Sequence, residues 1–206
     1  IITKSQFHFL DNVAACVNPD YEYIKAQSMG YKFILCKDLA DKVLGEDYKV
    51  LETFKGTDLV GLKYEQLMPF VSVDGKCFEV LADSYVTSED GTGIVHIAPA
   101  YGEDDNRVCR ENGIGFVNPV GKDGCYTTGP WEGTLVTDKD LEIEIIKWLK
   151  ENDKLFKKIK LTHDYPHCWR CHSPLIYYSK PAWYIRTTEY KDADSHEHAL
   201  RVDEAV

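Results

Sequence analysis

The chain has 206 residues, 44% hydrophobic and 28% charged, which fits one soluble globular domain of ordinary size, and its formal net charge of −10 excludes a broad, non-specific nucleic-acid surface. No apolar run approaches the length of a bilayer span, and the start IITKSQFHFLDN has neither the basic end nor the long apolar centre of a signal peptide, so the expectation is a cytoplasmic protein with no membrane partner. Seven cysteines at 16, 36, 77, 109, 125, 168 and 171 form no regular framework, and their odd number suggests free thiols.

In chain order, Val13 to Val17 and Tyr21 to Ala26 read as short strands around the turn Asn18-Pro19-Asp20. Tyr31 to Cys36 is a further apolar strand, followed by a short helix through Leu39, Val43 and Leu44 that Gly45 stops. Lys49 to Phe54 and Leu62 to Tyr64 read as strands around a turn at Gly56-Thr57-Asp58, and Cys77 to Ala82 is expected to pair with the strand after Gly93. Pro119 to Gly133 is loop. The clearest helix spans about Lys139 to Asn152, with Thr137 and Asp140 resembling a capping box and Leu141, Ile145, Trp148 and Leu149 on one face. Leu175 to Tyr178 and Ala182 to Ile185 are read as exit strands, and Asp194 to Val206 as a weakly ordered polar tail. Many short strands at near-regular spacing predict an α+β fold with a β-barrel core and peripheral helices.

The densest chemistry lies in DGTGIVHIAPAYGEDD, Asp90 to Asp105. A Gly91-Thr92-Gly93 turn feeds an apolar strand, Ile94 to Ile97, that carries His96; Pro99 ends it, and the loop Ala100-Tyr101-Gly102 runs into a helix opened by Glu103, Asp104 and Asp105 and closed by Gly113. The glycines admit a ligand close to the backbone, while His96 and Asp105 are side chains suited to orienting water or binding an amine. Read by position alone, the two aspartates are more commonly a helix cap and dipole complement, and a strand histidine is more often a core or edge residue than a catalytic one. The lysines at 154, 157, 158 and 160 read first as a solvated face and second as a contact for a nucleic-acid backbone.

The string GTGIVHIAPAYGEDD closely resembles the signature of the editing domain inserted in class I isoleucyl-tRNA synthetases, and YPHCWRCHSPLIYYSKPAWYIR, Tyr165 to Arg186, resembles the exit of that insertion. With NVAACVNPDYEY near the start, the resemblance covers about residues 12–190 and implies a single editing domain, 1–206, excised from a larger synthetase, with 191–206 as its tail. In that family a hydrophobic pocket separates isoleucine from valine by only about 150-fold, the standard illustration of this limit, so a second site hydrolyses the mistakes. The resemblance implies that site: its substrate is valine esterified to the 3′ end of tRNA(Ile), Asp105 binds the α-ammonium, and His96 lies beside the aminoacyl group and helps exclude the larger cognate side chain. Gly91, Thr92, Gly93, Ala98, Pro99, Tyr101 and Gly102 would contact substrate.

The family's other half-site is a threonine-rich entrance peptide, which here reads ITKSQFHFLDN. Thr3, Lys4 and Ser5 are its candidate substrate contacts. The altered peptide leaves a second reading open, a tRNA-end-binding module with weakened or lost hydrolysis. Cys168 and Cys171 supply half of a tetrahedral zinc site, with the other ligands outside this chain, and editing itself needs no cofactor. A zinc-organised interaction module centred on this pair is a third reading. The partners implied are the charged tRNA end and the catalytic body of the parent synthetase, and the expected state is a monomer.

Overall fold

The computed structural model describes residues 10–158 and 166–180, together with the backbone of strands at 182–186, 190–191, 197–198 and 201–205. The chain divides into two compact units, 1–176 and 177–206.

The first unit is built on β1 (Ala14–Val17), whose sequence AACV is buried at every position. Small side chains let both faces be covered, and both edges are bonded. β1 pairs in parallel with β5 (Glu79–Ala82) and antiparallel with β6 (Ile94–Ile97), giving the order β5-β1-β6. A second sheet has the order β3-β2-β4, from β2 (Glu22–Ser28), β3 (Tyr31–Cys36) and β4 (Lys49–Lys55). Between β3 and β4 a single 3-10 turn, Lys37–Leu39, leads into α1 (Ala40–Leu44), closed by Gly45 at φ 78°. The sheets meet where the Cys36 N–H donates to the Thr92 carbonyl at 2.8 Å, above a core cluster holding Val17, Tyr23, Cys36 and Leu39.

These sheets are open. Among the described residues no closed barrel forms, so the expected barrel core is not confirmed: the segment 62–64 joins β5 through the bridge Lys63↔Glu79 and a few backbone hydrogen bonds without forming a strand. Gly56-Thr57-Asp58 opens a one-turn helix, α2 (Gly56–Leu59), because the Asp58 carboxylate accepts the Lys55 N–H at 2.9 Å. The strand after Gly93 pairs with β1, not with β5, because the fully apolar β1 needs partners on both edges and takes the middle of the sheet.

Two longer helices complete the unit. α3 (Glu103–Asn112) buries Val108 and Cys109 against β1, Leu81 and Ile97, and Gly113 ends it at φ 66°. α4 (Lys139–Glu151) buries Leu141, Ile145 and Leu149, as its periodicity predicts. Its cap is Asp138, whose carboxylate accepts the Asp140 N–H at 2.8 Å, and not the Thr137/Asp140 box. Trp148 meets Phe70 edge-on at 5.2 Å, and Lys154 donates to the Leu67 carbonyl at 2.6 Å, so one member of the lysine run ties the end of α4 to the 66–70 segment.

In the second unit β7 (Ala182–Arg186) pairs antiparallel with β10 (Arg201–Ala205), and β8 (Tyr190–Lys191) with β9 (Glu197–His198). The polar tail therefore contains strand, which its charged composition masks in the sequence. Leu175 to Tyr178, expected as an exit strand, forms no strand. Among the described residues no helix is long and apolar enough to cross a membrane.

The Asp83 carboxylate, just after β5, accepts from Arg107 Nη1 of α3 at 2.8 Å, and this bond holds its pKa below the ordinary carboxylate value. A depressed folded-state pKa stabilises above the unfolded value of about 4 and is lost as pH falls through the lower folded value. Asp83→Asn therefore lowers stability at pH 7, and the gap from wild type closes below about pH 4 in urea titrations followed by circular dichroism. Ile145→Ala costs about 2–4 kcal/mol in the same assay, since Ile145 is 1% exposed.

Candidate functional site

A cleft of about 390 Å³ opens beside β6. The register of the first sheet creates it. Val17 lies opposite both Ala82 and Ile94, so the chain leaving β5 and the chain entering β6 emerge side by side at the same end of β1. The first delivers Tyr85 and Thr87, the second Gly91, Thr92 and Gly93, and α3 supplies Asp105.

The Gly91-Thr92-Gly93 turn is held from behind. Both glycines have positive φ, 77° and 71°, and a Cβ on Gly93 would overlap the Cβ of Cys36. The buried Tyr23 hydroxyl donates to the Gly93 carbonyl at 2.7 Å and accepts the Asn18 N–H at 3.0 Å. Thr92 donates through its hydroxyl to the Ile94 carbonyl at 3.3 Å. One residue turn later in the strand, His96 sits opposite Ala15 and lines the cleft.

Asp105 belongs to the first turn of α3, and its carboxylate reaches beyond the helix. Its Oδ2 accepts the Ala98 N–H at 3.0 Å and its Oδ1 lies 3.4 Å from the Tyr85 hydroxyl. The loop from Ala98 to Gly102 is folded around it: the Tyr101 N–H donates to the Ala98 carbonyl at 3.0 Å and the Asn106 side chain to the Pro99 carbonyl at 3.1 Å. Gly102 is the helix N-cap residue, and a Cβ there would come within 3.0 Å of the Asp105 carboxyl carbon, so a side chain at 102 would press on the carboxylate. Asp104 turns the other way and pairs with Arg107 at 3.2 Å. A carboxylate so held, at the wall of a cleft, can bind a cation by charge-assisted hydrogen bonds, and the histidine beside it can orient water or limit the size of what enters.

Asp105, His96, Gly91, Thr92 and Gly93, five of the residues singled out from sequence, thus share one cleft. Ala98, Pro99 and Gly102 shape the Asp105 loop from behind. Tyr101 is buried, and its hydroxyl donates to Asn118 at 3.1 Å, so its ring supports the loop from outside the cleft wall. Thr3, Lys4 and Ser5 lie outside the described residues. Sequence reading missed Tyr85 and Thr87, whose only signal is their place after an apolar strand that ends in Asp83.

Cys168 and Cys171 occupy a tight turn in which the His172 N–H donates to the Cys168 carbonyl and the Cys168 N–H to the Ser173 carbonyl, both at 2.8 Å. The Cys171 thiol lies 3.1 Å from the Ser173 hydroxyl, and hydrogen bonds from Ser173 and Cys168 lower its pKa to about 7. Two thiols on one turn suit half of a zinc site. Among the described residues no third or fourth ligand joins them.

No protein-family model matches the chain. It is 47% identical over 192 residues to the isoleucine–tRNA ligase of Clostridium novyi, 43% over 192 residues to that of Clostridium tetani, and 44% over 187 residues to that of Picrophilus torridus. These alignments cover 92%, 92% and 90% of the chain but only 18% of each relative, so the chain spans about a fifth of the length of the curated relatives it matches. The crystal structure of GlLeuRS-CP1 superposes with TM-score 0.56 at 15% identity, covering 77% of this chain and 83% of that one. The Plasmodium knowlesi cytosolic leucyl-tRNA synthetase editing domain gives 0.55 at 13%, covering 74% and 80%. Across nine-tenths of its length the chain is homologous to a segment of isoleucine–tRNA ligases, and its fold is similar to that of solved leucyl-tRNA synthetase editing domains.

Proposed function

We propose that the cleft is a post-transfer editing site that hydrolyses valine from mischarged Val-tRNA(Ile). The observation that carries this reading is the Asp105 carboxylate, oriented by donors from two different loops at the wall of a cleft that also holds His96 and the Gly-Thr-Gly turn. A free α-ammonium distinguishes an aminoacyl ester from other esters, and a fixed carboxylate is the simplest receptor for it.

With the ammonium on Asp105, the ester carbonyl lies beside the Gly91-Thr92-Gly93 backbone. Water adds to the carbonyl carbon, the tetrahedral intermediate collapses, and the C–O bond to the ribose breaks, releasing valine and a tRNA end with its hydroxyl restored. No serine or cysteine nucleophile is required. Alignment of ester and water, backbone N–H groups near the developing oxyanion, and the vicinal ribose hydroxyl provide the rate. His96 limits the space for the side chain, so the branched four-carbon chain of isoleucine fits worse than that of valine. The partners are the valine-charged 3′ end of tRNA(Ile) and the catalytic body of the parent synthetase, with the chain acting as a monomer in the cytoplasm. Editing uses no cofactor. Zinc at Cys168 and Cys171 would draw its remaining ligands from elsewhere in the parent and would hold structure only.

The altered peptide at residues 2–12 favours one second reading, a module that holds the charged tRNA end with little turnover. A deacylation assay separates the two. The purified chain is expected to hydrolyse valine-charged faster than isoleucine-charged tRNA(Ile), with Asp105→Ala reducing the valine rate about 10- to 100-fold, the worth of a hydrogen bond to a charged group. Saturable binding of the charged end without release of valine supports the second reading, and equal rates with both amino acids contradict the first. Gly102→Ala, which crowds the carboxylate without removing it, is expected to lower the same rate while leaving the chain folded.

A further inference from the structure

We infer that Tyr85 is a positioning residue for Asp105: its hydroxyl and the Ala98 N–H each engage one carboxylate oxygen and set the orientation in which the carboxylate meets a primary ammonium in the cleft. The inference rests on the reading of Asp105 given above.

The terminal torsion of an aspartate is broad, so a carboxylate tied at one oxygen still swings about that tie. In this site each oxygen has its own donor, Ala98 N–H at 3.0 Å to Oδ2 and Tyr85 O–H at 3.4 Å to Oδ1. The shorter bond is the firmer one, and the phenol governs the remaining rotation. Tyr85 is itself fixed. Its N–H donates to Asp83 Oδ1 at 3.0 Å, its ring packs on the core cluster under α3, and Asp83 Oδ2 accepts from Arg107 at 2.8 Å. Arg107 stands two residues beyond Asp105 on the same helix, so one aspartate ties the turn that carries the phenol to the helix that carries the carboxylate. Burial and the neighbouring Asp105 charge push the phenol's acidity well away from physiological pH, which keeps its proton available for donation. A purely structural tyrosine would work as well without its hydroxyl; a positioning tyrosine would not.

The test uses two hydrolysis-resistant probes, 2′-(L-valylamino)-2′-deoxyadenosine and the same amide with an α-hydroxyl in place of the α-amine, titrated into the 206-residue chain by NMR. Wild type is expected to prefer the amine. Tyr85→Phe, which retains the ring, is expected to reduce that preference by roughly 3- to 10-fold, with thermal unfolding unchanged within a few degrees, and Asp105→Ala to abolish it. Tyr85→Met serves as a second hydroxyl-free variant and is expected to give the same loss. If the preference disappears in Asp105→Ala but survives in both Tyr85 variants, the positioning role is overturned and the Asp105 reading stands. If wild type has no amine preference, or binds neither probe, both are overturned.

Discussion

The constraint on which this structure depends is the two-sided pairing of β1. Four small apolar residues, Ala14 to Val17, are buried on both faces and hydrogen-bonded on both edges, so neither neighbour can slip by one residue without turning its buried side chains outward. That register fixes which residues leave the sheet together. Because Ala82 and Ile94 both lie opposite Val17, Tyr85 and the Gly91-Thr92-Gly93 turn share one edge of the cleft although several residues separate them along the chain. α3, packed on the same strand through Val108 and Cys109, then sets Asp105 facing them.

The site is electrostatic before it is anything else. Two carboxylates line the cleft: Asp90 pairs with Lys42 at 3.1 Å, while Asp105 has a backbone donor on one oxygen and a phenol near the other, and among the described residues no lysine or arginine lines it. Arg107 of α3 is engaged by Asp83, Asp104 and Glu111. The arrangement suits a small cation attached to a larger molecule. With a net charge of −10 the chain has little long-range attraction for a polyanion, so the proposed recognition of a charged tRNA end would rest on contacts made inside the cleft.

Much of this was legible in the sequence, and the exceptions have physical reasons. The β1 to β3 run, β6, and the buried face of α4 follow directly from apolar periodicity, and Gly45 and Gly113 end their helices at positive φ as glycines do. Five candidates from the Asp90 to Asp105 string line the cleft because its glycines and its histidine lie within one turn and one strand and Asp105 opens the helix that follows. Sheet closure was not legible: strand spacing says how many strands there are, whereas closure depends on long-range partners such as Lys63 and Glu79. Tyr101 was read as a pocket residue from the family resemblance alone, and its burial and its hydrogen bond to Asn118 were not legible in the string. Tyr85 and Asp83 went unread because their role exists only after β5 has been placed beside β1; nothing local in Asp83-Ser84-Tyr85 points to a carboxylate twenty residues away.

The most direct measurement of the central claim is a crystal structure of the chain bound to the hydrolysis-resistant valyl-adenosine amide. The account predicts the α-ammonium within about 3 Å of an Asp105 carboxylate oxygen, with the valyl side chain against His96. An ammonium bound elsewhere, with the adenosine outside the cleft formed by Tyr85, Gly93 and Asp105, would contradict it.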